Sequence, residues 1–151
     1  IEIYGYDDPR AREYAESWGV FMQLTNILRD VAEDAERDRI YLPLDDLARY
    51  GITEDDVKSG KELLKHPGWK PFVEEYIERC DRYREKAFKL FGLLDRSSRY
   101  SPAAMATFYQ SILKKIQRRG GDVFTERIQL SKAEKMVFAA YVYVRYRFLA
   151  L

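Results

Sequence analysis

GVFMQLTNILRDVAEDAER, residues 19–37, decides how this chain folds. Read at about 100° per residue, Val20, Phe21, Met22, Leu24, Ile27, Leu28 and Val31, with Trp18 just before them, spread around roughly 220° of a helix. A helix so apolar has little surface to give to water, so most of it is expected to be buried. The remaining sector, roughly 100° wide, collects Gln23, Asn26, Asp30, Glu33, Asp34 and Arg37 beside the small Gly19. This polar stripe faces either a solvent channel or a hydrophilic cavity.

Working outward, Asp8 and Pro9 make a good helix start, because Asp caps and Pro tolerates the first helical position. One long helix is predicted from there to about Arg37. A short helix over LDDLARYG is closed by Gly51, and another over ITEDDVKSG is capped by Thr53. HPGWKP, residues 66–71, reads as a loop. From about Trp69 to Leu94, Phe72, Tyr76, Cys80, Tyr83, Ala87, Leu90 and Leu94 recur at three and four residues, the period of an amphipathic helix. RSSRYSP breaks it, Ser101 and Pro102 open a further helix to about Arg119, and Gly120 with Gly121 ends that one. Ser131 and Glu134 form a capping-box pattern before KMVFAAYVYVRYRFLAL. Four long helices and no convincing strand emerge, so the fold class is all-α, with residues 1–151 read as a single helical domain. The last helix is very apolar, but Arg145 and Arg147 interrupt it and about 16 residues fall short of a bilayer span. Core packing is its expected use, with peripheral membrane contact second.

The spacing of the stripe has chemical content. Asp30 and Asp34 lie one turn apart, where two carboxylates repel each other unless something positive joins them, and together they can bind a hard cation through oxygen. Asn26, a further turn back, adds a neutral oxygen. That set suits Mg²⁺ retaining waters and meeting phosphate oxygens, with Gln23 as a hydrogen-bond donor and Arg29 and Arg37 in reach of phosphate. A solvated face is the competing interpretation, because acidic residues near a helix end are common.

Composition narrows the remaining classes. With 151 residues, 26 basic against 25 acidic side chains and a net charge of +1, there is no global field to draw nucleic acid, and none is expected as a partner. Hydrophobic residues make up 46%, with 12 Tyr and 8 Phe, a folded composition. Cys80 and His66 are the single Cys and His, which removes an internal disulfide and a thiolate or imidazole zinc cluster. A reducing, cytoplasmic setting fits best. Cys80 falls on an apolar face and is expected as inert core, and His66 as a loop residue. Asp45 with Asp46, Glu54 to Asp56, and Glu74 with Glu75 sit at helix starts and complement the dipole. KKIQRR, residues 114–119, complements the other end of its helix, with phosphate or lipid head groups as the alternative use.

The wording QLTNILRDVAEDAERDRIYLP, residues 23–43, closely resembles the second aspartate-rich region of the squalene/phytoene synthase family, and residues 105–136 resemble it more loosely. The resemblance implies the all-helical isoprenoid-synthase fold and a prenyltransferase that condenses two farnesyl or geranylgeranyl diphosphates head to head, by way of a cyclopropylcarbinyl diphosphate. It implies Mg²⁺, with Mn²⁺ as an alternative, held by Asp30, Asp34 and Asn26. It also implies that Gln23 helps hold the metal and diphosphate and that Arg29 contacts diphosphate. Tyr41 is implied as the tyrosine near the diphosphate, with Tyr109 and Arg127 as later substrate-binding positions. Phe21, Met22 and Phe108 are either cavity walls or plain core.

Two departures stand out. The family's first aspartate-rich motif is not found in residues 1–25, where DDPR is a helix cap, and the chain opens without an initiator Met. The expectation is therefore the C-terminal half of a larger synthase domain, one wall of an active site whose partner is the missing N-terminal half. Asp38 stands where relatives often have Gly. The product reading leans toward a presqualene diphosphate or squalene-type enzyme, with phytoene synthase next. NADPH is left open, since no glycine-rich dinucleotide loop occurs and the resemblance does not require one. A non-catalytic helical assembly domain is the alternative of a different class. A terpene cyclase is a weaker one, because such sites mix Asn, Ser or Thr, and Glu.

Overall fold

The computed structural model describes residues 2–148, and all of its long elements are helical. In order these are α1 (Arg10–Arg29), α2 (Val31–Glu36), α3 (Leu44–Arg49), α4 (Glu54–Lys58), α5 (Trp69–Leu93), α6 (Tyr100–Arg118) and α7 (Lys132–Phe148), with 3-10 turns at Glu2–Tyr4 and Gly60–Lys65. Among the described residues the only β pairing is an isolated antiparallel bridge between Tyr6 and Leu94. The expected end of the last helix at 149–151 falls outside the described residues.

The local signals act as their chemistry requires. Thr53 accepts from the Asp56 N–H while the Asp56 carboxylate accepts from the Thr53 N–H, a reciprocal cap that fixes the start of α4. Ser131 and Glu134 do the same for α7, at 2.8 and 3.1 Å. Gly51 and Gly120 take left-handed φ of 69° and 62° just past α3 and α6, which lets the next N–H fold back on the helix end. At the end of α5 the carbonyls of Gly92 and Leu94 are satisfied by the Arg99 guanidinium, at 3.1 and 2.7 Å.

Two compact units divide the chain. The first comprises Ile1–Gln23, Asp81–Ser111 and Leu130–Leu151. Its core is Leu90, Phe91 and Leu94 of α5 against the small Ala11 of α1, Ala103 and Ala106 of α6, and Val142 of α7. Alanines there leave room for the large α5 side chains, and Trp18 meets Phe91 edge to face at 6.2 Å.

The second unit comprises Leu24–Cys80 and Ile112–Gln129. Its core is aromatic: Trp69 stacks on Phe72 at 5.6 Å, Phe72 meets Tyr76 at 5.8 Å, and all three are at most 2% exposed. Burying each contributes about 1.5–3 kcal/mol. The Trp69 indole N–H donates to the Gly121 carbonyl at 3.1 Å, tying the start of α5 to the turn after α6. Gly68 is required because a Cβ there would stand 2.1 Å from the Tyr50 carbonyl oxygen. Cys80 is fully buried, and His66 takes a loop position at the end of the second 3-10 turn, both as expected.

Four expectations need correction. HPGWKP is not a loop throughout, since α5 already starts at Trp69; Pro71 sits in the first turn, where no N–H is needed. The predicted helix from residue 10 to 37 is divided at Asp30, whose φ of −97° and ψ of 8° fall between the helical and extended regions. The near all-round burial of α1 is not found: Phe21, Thr25 and Leu28 form a narrow buried line, Val20 is exposed, and Met22, Leu24 and Ile27 are half-buried. Packing uses one line of that helix, which the width of its apolar sector does not reveal. The last helix is likewise not core throughout. It buries Val142 and half-buries Phe138, whereas Met136, Val137, Tyr141, Tyr143 and Val144 are between 49% and 72% exposed. No described helix is long and apolar enough to cross a membrane.

Candidate functional site

The polar stripe is held together by the backbone before any side chain acts. The Asp30 N–H donates to the Asn26 carbonyl at 2.9 Å and the Asp34 N–H to the Asp30 carbonyl at 2.9 Å, so the helical period survives the break at Asp30. Asn26, Asp30 and Asp34 therefore remain one line, all three half-buried in the second unit. Past them, Asp38 takes a left-handed φ of 56°, and the Arg39 N–H closes back on the Asp34 carbonyl at 2.9 Å. This closure stops α2 at Glu36, two residues after Asp34.

Asp30 is the most engaged of the three. The Arg29 guanidinium grips it at two points, Nε to Oδ1 at 2.8 Å and Nη2 to Oδ2 at 2.5 Å, with both side chains about four-fifths buried. A second guanidinium arrives from far along the chain, with Arg127 Nη2 3.5 Å from Asp30 Oδ1 and Nη1 3.0 Å from Glu33 Oε1. Arg127 is carried by the stretch between α6 and α7. There Asp122 Oδ1 accepts from the Phe124 and Thr125 N–H groups, and the buried Ile128 and Leu130 anchor the chain on either side of the exposed Gln129.

Asp34 lines a shallow depression with Arg39, Tyr41 and the apolar Ile27, Val31 and Val57. Tyr41 is 54% exposed at its edge. The expected positions thus fall into three sets. Asn26, Arg29, Asp30 and Arg127 cluster in the second unit, Asp34 and Tyr41 share the depression, and Gln23 and Tyr109 belong to the first unit, Gln23 exposed and Tyr109 half-buried. Phe21 is plain core, and Phe108 packs on Phe138 at 6.4 Å. Glu33, named in the stripe but given no role, is the residue the sequence reading missed. Its signal is the i, i+3 spacing from Asp30.

Among the described residues no group of three or more His, Cys, Asp or Glu side chains is arranged to hold a metal ion. Asp30 and Asp34, one turn apart with Asn26 a turn before them, are the oxygen donors that would hold a divalent cation, which would need further oxygens from outside this line.

A family model described as squalene/phytoene synthase matches residues 1–134. The chain belongs to the squalene/phytoene synthase family. Among its relatives, phytoene synthase 2 (chloroplastic) of Zea mays is 42% identical over 127 residues, covering 84% of this chain and 31% of that one. Phytoene synthase 2 (chloroplastic) of Solanum lycopersicum is 38% identical over 127 residues, covering 84% of this chain and 40% of that one. In fold, the chain is similar to a crystal structure of a dehydrosqualene synthase in complex with ligand, with a TM-score of 0.73 and 27% identity over 89% of this chain and 46% of that one. This squalene/phytoene synthase family chain therefore spans about a third of the length of the curated relatives it matches.

Proposed function

We propose that this chain supplies one wall of the active site of a prenyltransferase that joins two prenyl diphosphates head to head. The observation that carries the proposal is the line of Asn26, Asp30 and Asp34 flanked by the guanidinium groups of Arg29 and Arg127. Carboxylates and arginines interleaved in this way suit a diphosphate that arrives with a divalent cation.

In this reading Asp30, Asp34 and Asn26 hold Mg²⁺, or Mn²⁺ in its place, through side-chain oxygens. When bound, the metal draws charge onto the departing diphosphate. Arg127 turns the arm now on Asp30 to a diphosphate oxygen, Arg29 exchanges part of its grip on Asp30 for another, and the Tyr41 hydroxyl donates to one more from the edge of the depression. Gln23 and Tyr109, which belong to the first unit, are assigned to substrate binding by the family resemblance of the sequence. Half-buried apolar side chains of α1, Met22, Leu24 and Ile27, are offered to the prenyl tail and keep water from the carbocation. Family membership, with relatives named phytoene synthase at 34–42% identity against 27% for the dehydrosqualene synthase, supports geranylgeranyl over farnesyl diphosphate as substrate and phytoene as product.

The test uses the protein at the full length of its relatives. Given Mg²⁺ and geranylgeranyl diphosphate it is expected to release pyrophosphate and form phytoene, to stop when the metal is chelated, and to turn over farnesyl diphosphate more slowly. Faster use of farnesyl diphosphate would move the product to the squalene branch. Tight binding of both diphosphates with no turnover in either metal would leave the non-catalytic assembly domain as the better reading.

A further inference from the structure

We infer that Glu33 is a positioning residue for Arg127: it holds that guanidinium beside the aspartate line, so that one of its arms can leave Asp30 for the diphosphate of a substrate. The inference rests on the function proposed above. Arg127 divides itself between two carboxylates, and the shorter contact is with Glu33, at 3.0 Å against 3.5 Å to Asp30. Asp30 already receives the whole fork of Arg29. The Arg127 contact to Asp30 is therefore the weaker and more replaceable one, and Glu33 keeps the side chain in place when that contact is given up.

Direction matters as much as distance. On the helical wheel Glu33 lies roughly 60° to one side of Asp30 and Asp34 roughly 40° to the other, so Arg127 approaches from the side away from Asp34. A cation arriving on Asp30 would repel both arginines paired with it, and Glu33 gives Arg127 a second carboxylate to stay on. Arg127 is also 54% exposed, and ordering a long exposed side chain costs rotamer entropy that a second carboxylate offsets.

A strap that merely ties the stretch before α7 to α2 would contain the same ion pair, so the test has to separate stability from binding. In the relatives-length protein, Glu33→Gln is expected to raise the KM for prenyl diphosphate and the Kd for inorganic pyrophosphate with Mg²⁺ by about two- to fivefold, as loss of a partly exposed ion pair implies. kcat should change less than KM, and the melting temperature little. In an Arg127→Ala background the same substitution should add nothing, and Glu33→Asp, with a shorter reach, should fall between Gln and the native residue. Native pyrophosphate affinity in Glu33→Gln, or an equal loss with Arg127 already removed, overturns the inference, as does a lower melting temperature with unchanged binding. Asp30→Asn run alongside separates the two levels. If it turns over normally the proposed function fails, whereas if it is inactive and Glu33→Gln is indistinguishable from the native protein only the role of Glu33 falls.

Discussion

Asp38 shows how one backbone angle bears on the site. Its φ of 56° belongs to a region that glycine occupies at no steric cost and that Asp tolerates better than most residues. The position follows the last turn of α2, and the closure it allows caps the Asp34 carbonyl with the Arg39 N–H. Lys58, 2.5 Å away, holds the Asp38 carboxyl below its ordinary value and ties the turn to α4. Asp38→Gly is expected to melt at or above the native temperature, while Asp38→Val, branched at Cβ, should melt several degrees lower and loosen the Asp34 backbone in hydrogen exchange. Equal melting of the two would mean that the left-handed turn does not constrain α2. The sequence reading noted this Asp without a consequence, because a dihedral angle is not a property of composition. The line of Asn26, Asp30 and Asp34, by contrast, was legible from helical spacing alone. The Glu33 and Arg127 pair was not, since the two stand far apart along the chain.

Between elements, acidic residues expected only to complement helix dipoles turn out to link helices. Asp46 of α3 meets Arg79 of α5 at 2.6 Å and Arg49 at 2.9 Å, and Glu75 accepts from Arg49 at 2.7 Å and from the Tyr50 hydroxyl. The hydrogen bond from Arg79, then that from Arg49, holds the Asp46 carboxyl below the ordinary value of 3.8; Tyr50 and then Arg49 do the same for Glu75. Both folded values lie below the unfolded ones, so this stabilisation is complete above about pH 5 and is lost as pH falls through the lowered values. Asp46→Asn is therefore expected to lower stability at neutral pH and to flatten its decline below about pH 4 in denaturant titrations. A native acid limb in that variant would contradict the assignment. Gly68 tests the same junction sterically. Gly68→Ala should cost about 1–3 kcal/mol, because a backbone carbonyl occupies the space its Cβ needs. Helix boundaries marked by Thr53, Ser131, Gly51 and Gly120 were readable because caps and left-handed turns are local. The break at Asp30 was not. It comes where neighbouring residues 29 and 30 pair side chain to side chain, an arrangement that an uninterrupted wheel would splay apart.

For the molecule as a whole, helical class and family both follow from short-range information: periodicity with caps for the first, residues 23–43 for the second. What escaped was the pattern of cover. Apolar width predicted a deeply buried α1 and a core role for α7, yet α1 packs along Phe21, Thr25 and Leu28, and α7 leaves Met136, Val137 and Tyr141 open. Periodicity reports that a face is apolar; only the neighbouring elements decide whether it is covered. The central claim, that the aspartate line serves a metal-bound diphosphate, is tested most directly by Mg²⁺-dependent turnover of geranylgeranyl diphosphate in the relatives-length protein carrying Asp30→Asn, with circular dichroism to confirm that the helices persist. Turnover should fall at least about a hundredfold, as removing a group that stabilises developing charge does elsewhere, with helicity unchanged; turnover at the native rate in a folded variant would contradict it.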